Sequence, residues 1–383
     1  MFPLAFLINL FLFLNVSGWA NAIYDPTLVP NNKIGIHILF PEEIEKAANL
    51  VNRDNQAAWG YVTIPIQAKD RDRLKWQLFL DKCKTQKLIP IIRVATVAEG
   101  SSWVEPNDYD LIDFANFLGD LKWPTANRYV IIFNEVNRSD EYGGFVKPEV
   151  YADILANAYD IFKNVSSDFF ILPAGLDNAA PNAKGYMNHR RYIERMVLHR
   201  PDIFDHLDGW TSHAYPNPDF SVRPDQSGNN KIDSFRYDLR LIRQFTNKKL
   251  PVFITEAGWS TKYLSDIQIS YYYKYALEKV WHDQQVIAIT PFLLSAQDGP
   301  FKVFSLTDNN GQLKEQALAF NSFATVGVPV LPEVLLVAPP NPSTPSAQLA
   351  TEPYNDPTLD TTSKMFGRLF QIFTTLFGFK KIE

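Results

Sequence analysis

Eight short apolar runs recur along the chain, and each is followed by a stretch whose apolar positions have helical spacing. The runs cover residues 33–40, 57–66, 87–96, 128–137, 168–176, 207–216, 250–260 and 286–297. Their hydrophobicity is continuous rather than alternating, which predicts strands buried on both faces, as in a parallel sheet. In the helical stretch 147–165, four positions are predicted to share one buried face: Val150, Ile154, Ala158 and Ile161.

Eight strand–helix units within roughly 300 residues predict one (β/α)8 barrel, the TIM-barrel form of the α/β class. The competing architecture is a doubly wound open sheet. No G-x-G-x-x-G or G-x-x-x-x-G-K-[ST] loop follows any of the runs, which counts against a nucleotide-binding sheet of that kind. We therefore expect a single barrel domain over residues 23–329.

The amino-terminal residues 1–22 have the character of an export signal. Their apolar stretch is too short for a secure membrane span, and they end in Ala-Asn-Ala, a small-residue pattern typical of a cleavage site. The alternative is an uncleaved amino-terminal anchor. Either way we expect an exported protein, extracellular or in the cell envelope.

The carboxyl-terminal part changes composition. Residues 330–362 are rich in Pro, Ser and Thr, which predicts a disordered linker. Residues 363–383 place Phe366, Leu369, Phe370, Phe373, Leu376 and Phe377 at helical spacing. This spacing predicts a short amphipathic helix that contacts a membrane surface or a partner protein, and the alternative is a helix that folds back onto the barrel.

Composition and charge narrow the classes of partner. The chain has 383 residues, 46% of them hydrophobic, which is ample for a large core. Its formal net charge of -5 and the lack of a basic run argue against nucleic acid as a partner. Because Cys83 is the only cysteine, an intramolecular disulfide is excluded, and we expect an inert, buried thiol near a helix end.

The chemistry collects at the predicted strand ends, where functional side chains of a (β/α)8 barrel lie. These positions carry His37, Arg93, Asn134, Glu135, His213, Tyr215 and Glu256. Two carboxylates on separate strands, Glu135 and Glu256, are what hydrolysis of a glycosidic bond requires. No H-E-x-x-H or G-x-S-x-G motif is present, so we expect neither a metal or other cofactor nor a serine nucleophile.

The sequences FNE, SHAY and TEAGWS around these residues resemble the clan of retaining (β/α)8 glycoside hydrolases that contains cellulases and mannanases. The resemblance covers about residues 30–325. It implies an oligo- or polysaccharide substrate with β-linkages. It also implies that Glu135 is the acid/base and Glu256 the nucleophile of a double displacement.

The same resemblance implies supporting roles. Asn134 would contact the sugar 2-OH, and Tyr215 would hydrogen-bond the nucleophile. His213 matches the strand-six histidine of the clan. Arg93 is the candidate for an arginine near the nucleophile, with a purely structural ion pair as the alternative. His37 would either contact sugar or pack at the floor of the barrel.

Further candidates lie on the loops of the same rim. Trp259 and Trp103 could stack on the apolar faces of sugar rings, with ordinary loop packing as the alternative for Trp103. Asp177 and Asn178 are candidates for additional polar contacts.

Two departures from the clan leave the sugar and the linkage open. Val136 follows Glu135, where the commonest cellulase families have Pro. The eighth run has no Trp for the cleaved-sugar subsite, so Gln297, Asp298 and Phe304 are candidates for that place. The alternatives are a non-catalytic carbohydrate-binding or surface-display barrel and, among enzymes, an exo-acting β-glycosidase.

Overall fold

The computed structural model describes residues 23–52, 59–100, 102–296, 298–321, 323 and 327–332. The predicted signal segment 1–22, the predicted helix in 363–383 and all but the first three residues of the predicted linker lie outside these residues. Among the helices that are described, none combines the length and the apolar character needed to cross a membrane.

In the part of the chain that the structure describes, eight parallel strands alternate with eight α-helices. The strands are β1 Gly35–His37, β2 Gly60–Gln67, β3 Leu88–Ala95, β4 Arg128–Ile132, β5 Phe169–Pro173, β6 Trp210–His213, β7 Val252–Glu256 and β8 Val286–Ile289. The helices are α1 Ile44–Val51, α2 Arg73–Thr85, α3 Asp108–Gly119, α4 Pro148–Val165, α5 His189–His199, α6 Ser234–Ile242, α7 Asp266–Tyr275 and α8 Leu318–Asn321. Each predicted apolar run coincides with one strand, and β2 extends one residue beyond its run, to Gln67, so the α/β class is confirmed.

The strands follow one another in chain order. Strands β1 to β5 form a five-stranded parallel sheet, and β6 to β8 form a three-stranded parallel sheet. Ile34 and Ile289 form a parallel bridge between the start of β1 and the end of β8. Between β5 and β6, the Thr211 hydroxyl donates to the Pro173 carbonyl at 2.7 Å. This order lacks the reversal of a doubly wound sheet and is the order of the (β/α)8 fold.

The core has two layers because successive residues of a strand point to opposite faces. In β4, Val130 and Ile132 belong to the cluster packed against the helices. Tyr129 and Ile131 belong to an inner cluster with Phe253 of β7. Burial on both faces is the physical reason why the runs are continuously apolar.

Helix α4 buries the predicted face except at its first position. Ile154 and Ala158 are buried as expected and Ile161 packs partly buried against the core, but Val150 is 38% exposed. The hydroxyl of buried Tyr151 donates to the Ile132 carbonyl at 2.9 Å and accepts from the Ala174 N–H at 2.7 Å. Since a buried hydroxyl requires such partners, Tyr151 fixes the rotation of α4 against β4 and β5.

Cys83 lies in the last turn of α2 and is fully buried. Burial raises the pKa of its thiol well above the usual value, which disfavours the reactive thiolate. The prediction of a buried thiol near a helix end is confirmed.

The floor of the domain is the amino-terminal end of the strands. The first and last described segments close it. Buried Asn127 accepts from the Tyr24 N–H at 3.1 Å and donates to the Tyr24 carbonyl at 3.0 Å and the Tyr129 hydroxyl at 3.1 Å. At the same end, the Val328 N–H donates to the Pro30 carbonyl at 3.0 Å. The chain therefore enters and leaves this domain at its floor.

Asn127→Ala should lower the free energy of unfolding by about 1–3 kcal/mol, because the partly buried backbone of Tyr24 and the buried Tyr129 hydroxyl lose their hydrogen bonds to Asn127. Urea denaturation followed by tryptophan fluorescence measures the change. Asn309→Ala, at an exposed loop position, is the matched control and should change stability little. An equal effect of both substitutions would contradict this account of the floor.

Candidate active site

The predicted site residues meet at the carboxyl ends of the strands. His37, His213 and Glu256 are the last residues of β1, β6 and β7. Arg93 lies near the end of β3, and Glu135 follows β4. Each of these five side chains is buried. The structure thus places all five predicted residues at the same end of the strands.

The backbone after β4 takes an unusual course to bring Glu135 into the site. Phe133 and Glu135 have φ angles of 69° and 33°, in the left-handed region that non-glycine residues rarely adopt. Such residues cost about 1–3 kcal/mol each and persist where the surroundings hold them. The Glu135 N–H donates to the Gly175 carbonyl at 2.9 Å, which fixes this turn to the end of β5.

Glu256 is held by donors from two other strand ends. Its Oε1 accepts from Arg93 Nη1 at 2.6 Å, and its Oε2 accepts from the Tyr215 hydroxyl at 2.9 Å. His213 and Tyr215 both reach this carboxylate because they are two positions apart, on one face of the chain leaving β6. Arg93 is therefore an ion-pair partner of Glu256 itself.

The charges around Glu256 keep it ionised. Burial alone would raise the pKa of its carboxyl, but nearby His213 and Arg93 outweigh burial and lower it to about 2. The pKa of His213 is raised despite burial, because the charges of Glu256 and Glu135 favour its protonated form. A carboxylate ionised at every ordinary pH is what a nucleophile needs.

His37 lies beside Glu256 rather than at the floor. Its Nδ1 is 3.9 Å from Glu256 Oε1, and its ring packs edge-to-face against Phe292 at 5.1 Å. Burial, together with the charge of Arg93, lowers the pKa of His37 to about 3, so it is neutral at ordinary pH. Because His37 is fully buried, this geometry favours packing beside Glu256 over direct sugar contact.

Glu135 has one partner on each carboxylate oxygen. His213 Nδ1 lies 2.9 Å from its Oε1, and Arg138 Nη1 lies 3.2 Å from its Oε2. Gly175 makes room for the imidazole, because a Cβ at that position would lie 2.2 Å from His213 Cδ2. The same glycine thus accepts the Glu135 N–H and admits the His213 ring.

Arg138 is a residue that the sequence analysis missed. Its guanidinium lies 3.2 Å from the carboxylate of Glu135, 2.8 Å from that of Asp140 and 3.7 Å from that of Asp177. The available signal was the repeat E-x-x-R-x-x-E from Glu135 to Glu141. Two consecutive turns place these side chains together. The Arg138 N–H donates to the Glu135 carbonyl in the first turn, and the Glu141 N–H donates to the Arg138 carbonyl in the second.

The two candidate catalytic carboxylates are close neighbours. One oxygen of Glu135, one oxygen of Glu256 and a ring nitrogen of His213 all lie within 4.8 Å of one another. Among the described residues, this trio is also close enough to hold a metal ion. Arg93 and Arg138 already pair with the two carboxylates, and their positive charges disfavour a cation there.

Asn134 connects the two halves of the site. Its carbonyl oxygen accepts from Arg93 Nη1 at 2.7 Å, and its amide nitrogen donates to Glu141 Oε2 at 3.3 Å. These contacts fix which way the amide points. The amide nitrogen keeps a second hydrogen that is not used by Glu141.

The predicted tryptophan contacts are not supported by the geometry. Trp259 is 1% exposed and packs against Tyr273 and Trp281, and its Nε1 donates to the Val222 carbonyl at 2.8 Å. The prediction that Trp259 stacks on sugar is wrong, because the chain turns inward after β7. Trp103, in a short hairpin after β3, is 8% exposed, which favours the packing alternative.

Asp177 and Asn178 have different surroundings. Buried Asn178 donates to the Tyr215 carbonyl at 3.2 Å and accepts from Asn217 at 3.1 Å, so it braces the loops after β5 and β6. Asp177 faces Arg138, and burial together with the charge of Glu135 raises the pKa of Asp177 to about 6.

Phenylalanines surround Tyr215, the hydrogen-bond partner of Glu256. Phe304 packs against Tyr215 at 5.8 Å and against Phe220 at 5.1 Å. Phe292, after β8, belongs to the same buried cluster. Asp298 is exposed, and Gln297 lies outside the described residues. Of the three candidates, Phe304 is the one that the structure places in the wall of the site.

Solved glycoside hydrolases share this fold. The chain is similar to a family 39 glycoside hydrolase from Bacteroides cellulosilyticus WH2, with a TM-score of 0.53 and 16% identity over 79% of this chain and 64% of that chain. The chain is also similar to the exo-β-1,4-mannosidase Op5Man5 from Opitutaceae bacterium strain TAV5, with a TM-score of 0.52 and 13% identity over 80% of this chain and 61% of that chain. A third similar structure is Thermotoga maritima Cel5A, solved in complex with a mannotriose substrate, with a TM-score of 0.51 and 14% identity over 79% of this chain and 100% of that chain.

These likenesses concern the fold. No protein-family model matches the sequence, and no curated protein is similar to it at a significant level. The chain spans less than two thirds of the first two structures, 64% and 61% of their lengths. The α/β fold with a central parallel sheet, matching (β/α)8 glycoside hydrolases, is confirmed.

The lowered pKa of Glu256 predicts how its stabilising effect depends on pH. A carboxyl whose pKa falls from 4.5 to about 2 on folding stabilises the chain above pH 4.5 and loses that effect as pH falls toward 2. Compared with Glu256→Gln, the wild type should therefore lose stability between pH 6 and pH 3. Denaturant titrations at both pH values measure this difference.

Glu278→Gln, at an exposed position, serves as the control and should track the wild type at both pH values. A pH-independent difference between the wild type and Glu256→Gln would contradict the assignment of Glu256 as the ionised carboxylate.

Proposed function

We propose that this protein is a retaining glycoside hydrolase that cleaves β-linked glycans by double displacement. The observation that carries the proposal is the pair of buried carboxylates after β4 and at the end of β7, with oxygens within 4.8 Å. Retaining enzymes hold their two carboxyl groups about 5–5.5 Å apart, whereas inverting enzymes leave a wider gap for water. The proposal includes closure of the two sheets into one barrel and export of the chain.

In the first step, Glu256 attacks the anomeric carbon and the glycosidic bond breaks. Arg93 and Tyr215 hold Glu256 in its ionised form and fix the direction of both oxygens. In the reactive form Glu135 carries a proton, which it gives to the departing oxygen, so the leaving group departs as an alcohol and Glu135 returns to the carboxylate that pairs with Arg138. His213 Nδ1 and Arg138 Nη1 then stabilise that new charge.

In the second step, Glu135 takes a proton from water, and the resulting hydroxyl attacks the anomeric carbon of the glycosyl-enzyme. The bond to Glu256 breaks, and its carboxylate returns to Arg93 and Tyr215. Two inversions give a product with the configuration of the substrate. Asn134 has an amide hydrogen to offer to the sugar, and the 2-OH is the hydroxyl whose hydrogen bonds strengthen in the transition state.

The geometry supports catalysis over binding alone. A carbohydrate-binding barrel has no need of two carboxylates within hydrogen-bond reach of one histidine, and burying them is costly. Here each carboxylate has its own guanidinium, Arg93 for Glu256 and Arg138 for Glu135. The non-catalytic alternative does not explain why the chain would bear the free-energy cost of burying these charges.

A second candidate within the same chemistry is an exo-acting β-glycosidase. Glu135 and Glu256 are only 5% and 6% exposed. Beside them, Phe220 packs against Tyr215 at 5.1 Å and against Phe304 at 5.1 Å, forming an aromatic wall between the loops after β6 and β8. A wall at the reacting carbon suits a pocket for a chain end better than an open groove. One of the similar structures is an exo-β-1,4-mannosidase.

Purified protein screened on β-glucan, mannan, xylan and galactan, and on aryl β-glycosides, should release sugar from at least one of them. Glu135→Ala should lower kcat on a natural substrate by about 10²–10⁴-fold, because the leaving group loses its acid. Azide added to Glu135→Ala should give a glycosyl azide of retained configuration, and added to Glu256→Ala one of inverted configuration. Undiminished activity in Glu256→Ala would contradict the nucleophile assignment.

Product profiles on a fluorescently labelled oligosaccharide distinguish the exo and endo candidates. The aromatic wall predicts that a monosaccharide is released from the first time point, with the labelled chain shortening one unit at a time. Phe304→Ala should widen the site and allow internal cleavage products. Internal fragments from the wild type at early times would favour the endo-acting candidate.

A further inference from the structure

A third buried carboxyl group lies within this active site. Glu141 is 8% exposed and lies in the loop after β4. Its N–H donates to the Arg138 carbonyl at 3.3 Å, and the Arg138 N–H donates to the Glu135 carbonyl at 2.8 Å. These two turns bring Glu141 back beside Glu135, although the mechanism above gives it no role.

Glu141 is joined to the nucleophile through a chain of hydrogen bonds. Its Oε2 accepts from the Asn134 amide nitrogen at 3.3 Å. The Asn134 carbonyl oxygen accepts from Arg93 at 2.7 Å, and Arg93 donates to Glu256 at 2.6 Å. The Asn134 side chain is therefore fixed from both sides, by a guanidinium at its oxygen and by a carboxyl at its nitrogen.

The charges around Glu141 favour its neutral form. Burial raises the pKa of its carboxyl to about 8, and the charges of Glu135 and Asp140 add to this against the lowering effects of Arg138 and Arg93. At neutral pH Glu141 is therefore mostly protonated, whereas Glu256 is ionised. A neutral carboxyl still offers its carbonyl oxygen to the Asn134 amide.

We propose that Glu141 is a positioning residue of this active site, which fixes Asn134 as a neutral carboxylic acid and disturbs the site once it is ionised. The proposal rests on the glycosidase function proposed above. An ionised Glu141 adds a negative charge beside Glu135. It also competes for the guanidinium groups of Arg93 and Arg138, which orient the two catalytic carboxylates.

Glu141→Gln tests the neutral form directly, because glutamine keeps the carbonyl acceptor and the size of the side chain but cannot ionise. At pH 6 its kcat/KM should stay within about twofold of the wild type. Above pH 8 the activity of the wild type should fall, while that of Glu141→Gln should persist to at least one pH unit higher. An unchanged alkaline limb in Glu141→Gln would overturn the proposal.

Glu141→Ala removes the acceptor and should lower kcat by about 10-fold or more at every pH, since misplaced groups near the reacting atoms cost up to about 10²-fold. The loss should fall on kcat more than on KM, because the contact of Asn134 strengthens in the transition state. Rescue by glutamine and not by alanine is the expected pattern. If Glu141→Gln is as impaired as Glu141→Ala, the ionised form is required and the proposal fails.

A stability measurement separates this proposal from the glycosidase function. A carboxyl whose pKa is raised on folding stabilises the chain below its ordinary value of 4.5, and that contribution is lost as pH rises through about 8. The Tm of Glu141→Gln should therefore rise relative to the wild type between pH 5 and pH 9, whereas exposed Glu278→Gln should track the wild type. A Tm difference between Glu141→Gln and the wild type that does not change with pH would overturn the proposal that Glu141 is neutral, even if the protein is an active enzyme. Conversely, the predicted shift in an inactive protein overturns the glycosidase function alone.

Discussion

The buried ion pair between Arg93 and Glu256 is the contact on which the rest of the site depends. Removing two charges from water is costly, and breaking such a pair by deleting one partner costs about 3–5 kcal/mol. The pair is tolerable here because each partner has further hydrogen bonds, from Tyr215 to Glu256 and from Arg93 to Asn134. Every one of these groups comes from a different strand end, so the parallel arrangement of strands is what makes the pair possible.

Burial and the placement of the guanidinium groups also give the carboxyl groups of the site different protonation states. The pKa of Glu256, beside Arg93 and His213, is lowered to about 2, whereas the pKa of Glu141, with burial as its main influence, is raised to about 8. Asp177, whose pKa is raised to about 6, lies between these extremes. One fold thus holds an ionised carboxylate and a neutral hydrogen-bonding carboxylic acid within the same small volume, by placing guanidinium groups beside some carboxyls more closely than others.

The sequence predicts the strands and their functional ends because continuous apolar runs and terminal polar groups are local signals. It does not predict side-chain direction after a strand ends, and Trp259 shows the consequence. Its position suggested the rim, but the turn after β7 carries it into the core against Tyr273. Arg138 and Glu141 were missed because their role depends on two turns, which bring residues three apart onto one side. Val150 was misplaced because Tyr151 and its buried hydroxyl set the rotation of α4.

The floor has a consequence for how this domain is presented to a large substrate. The described chain begins near Tyr24 and ends near Val328, both at the end of the strands opposite Glu135 and Glu256. Any tether attached through either segment therefore leaves from the back of the domain. A surface that held the protein in this way would turn the end of the strands that carries Glu135 and Glu256 outward, where large molecules can reach it.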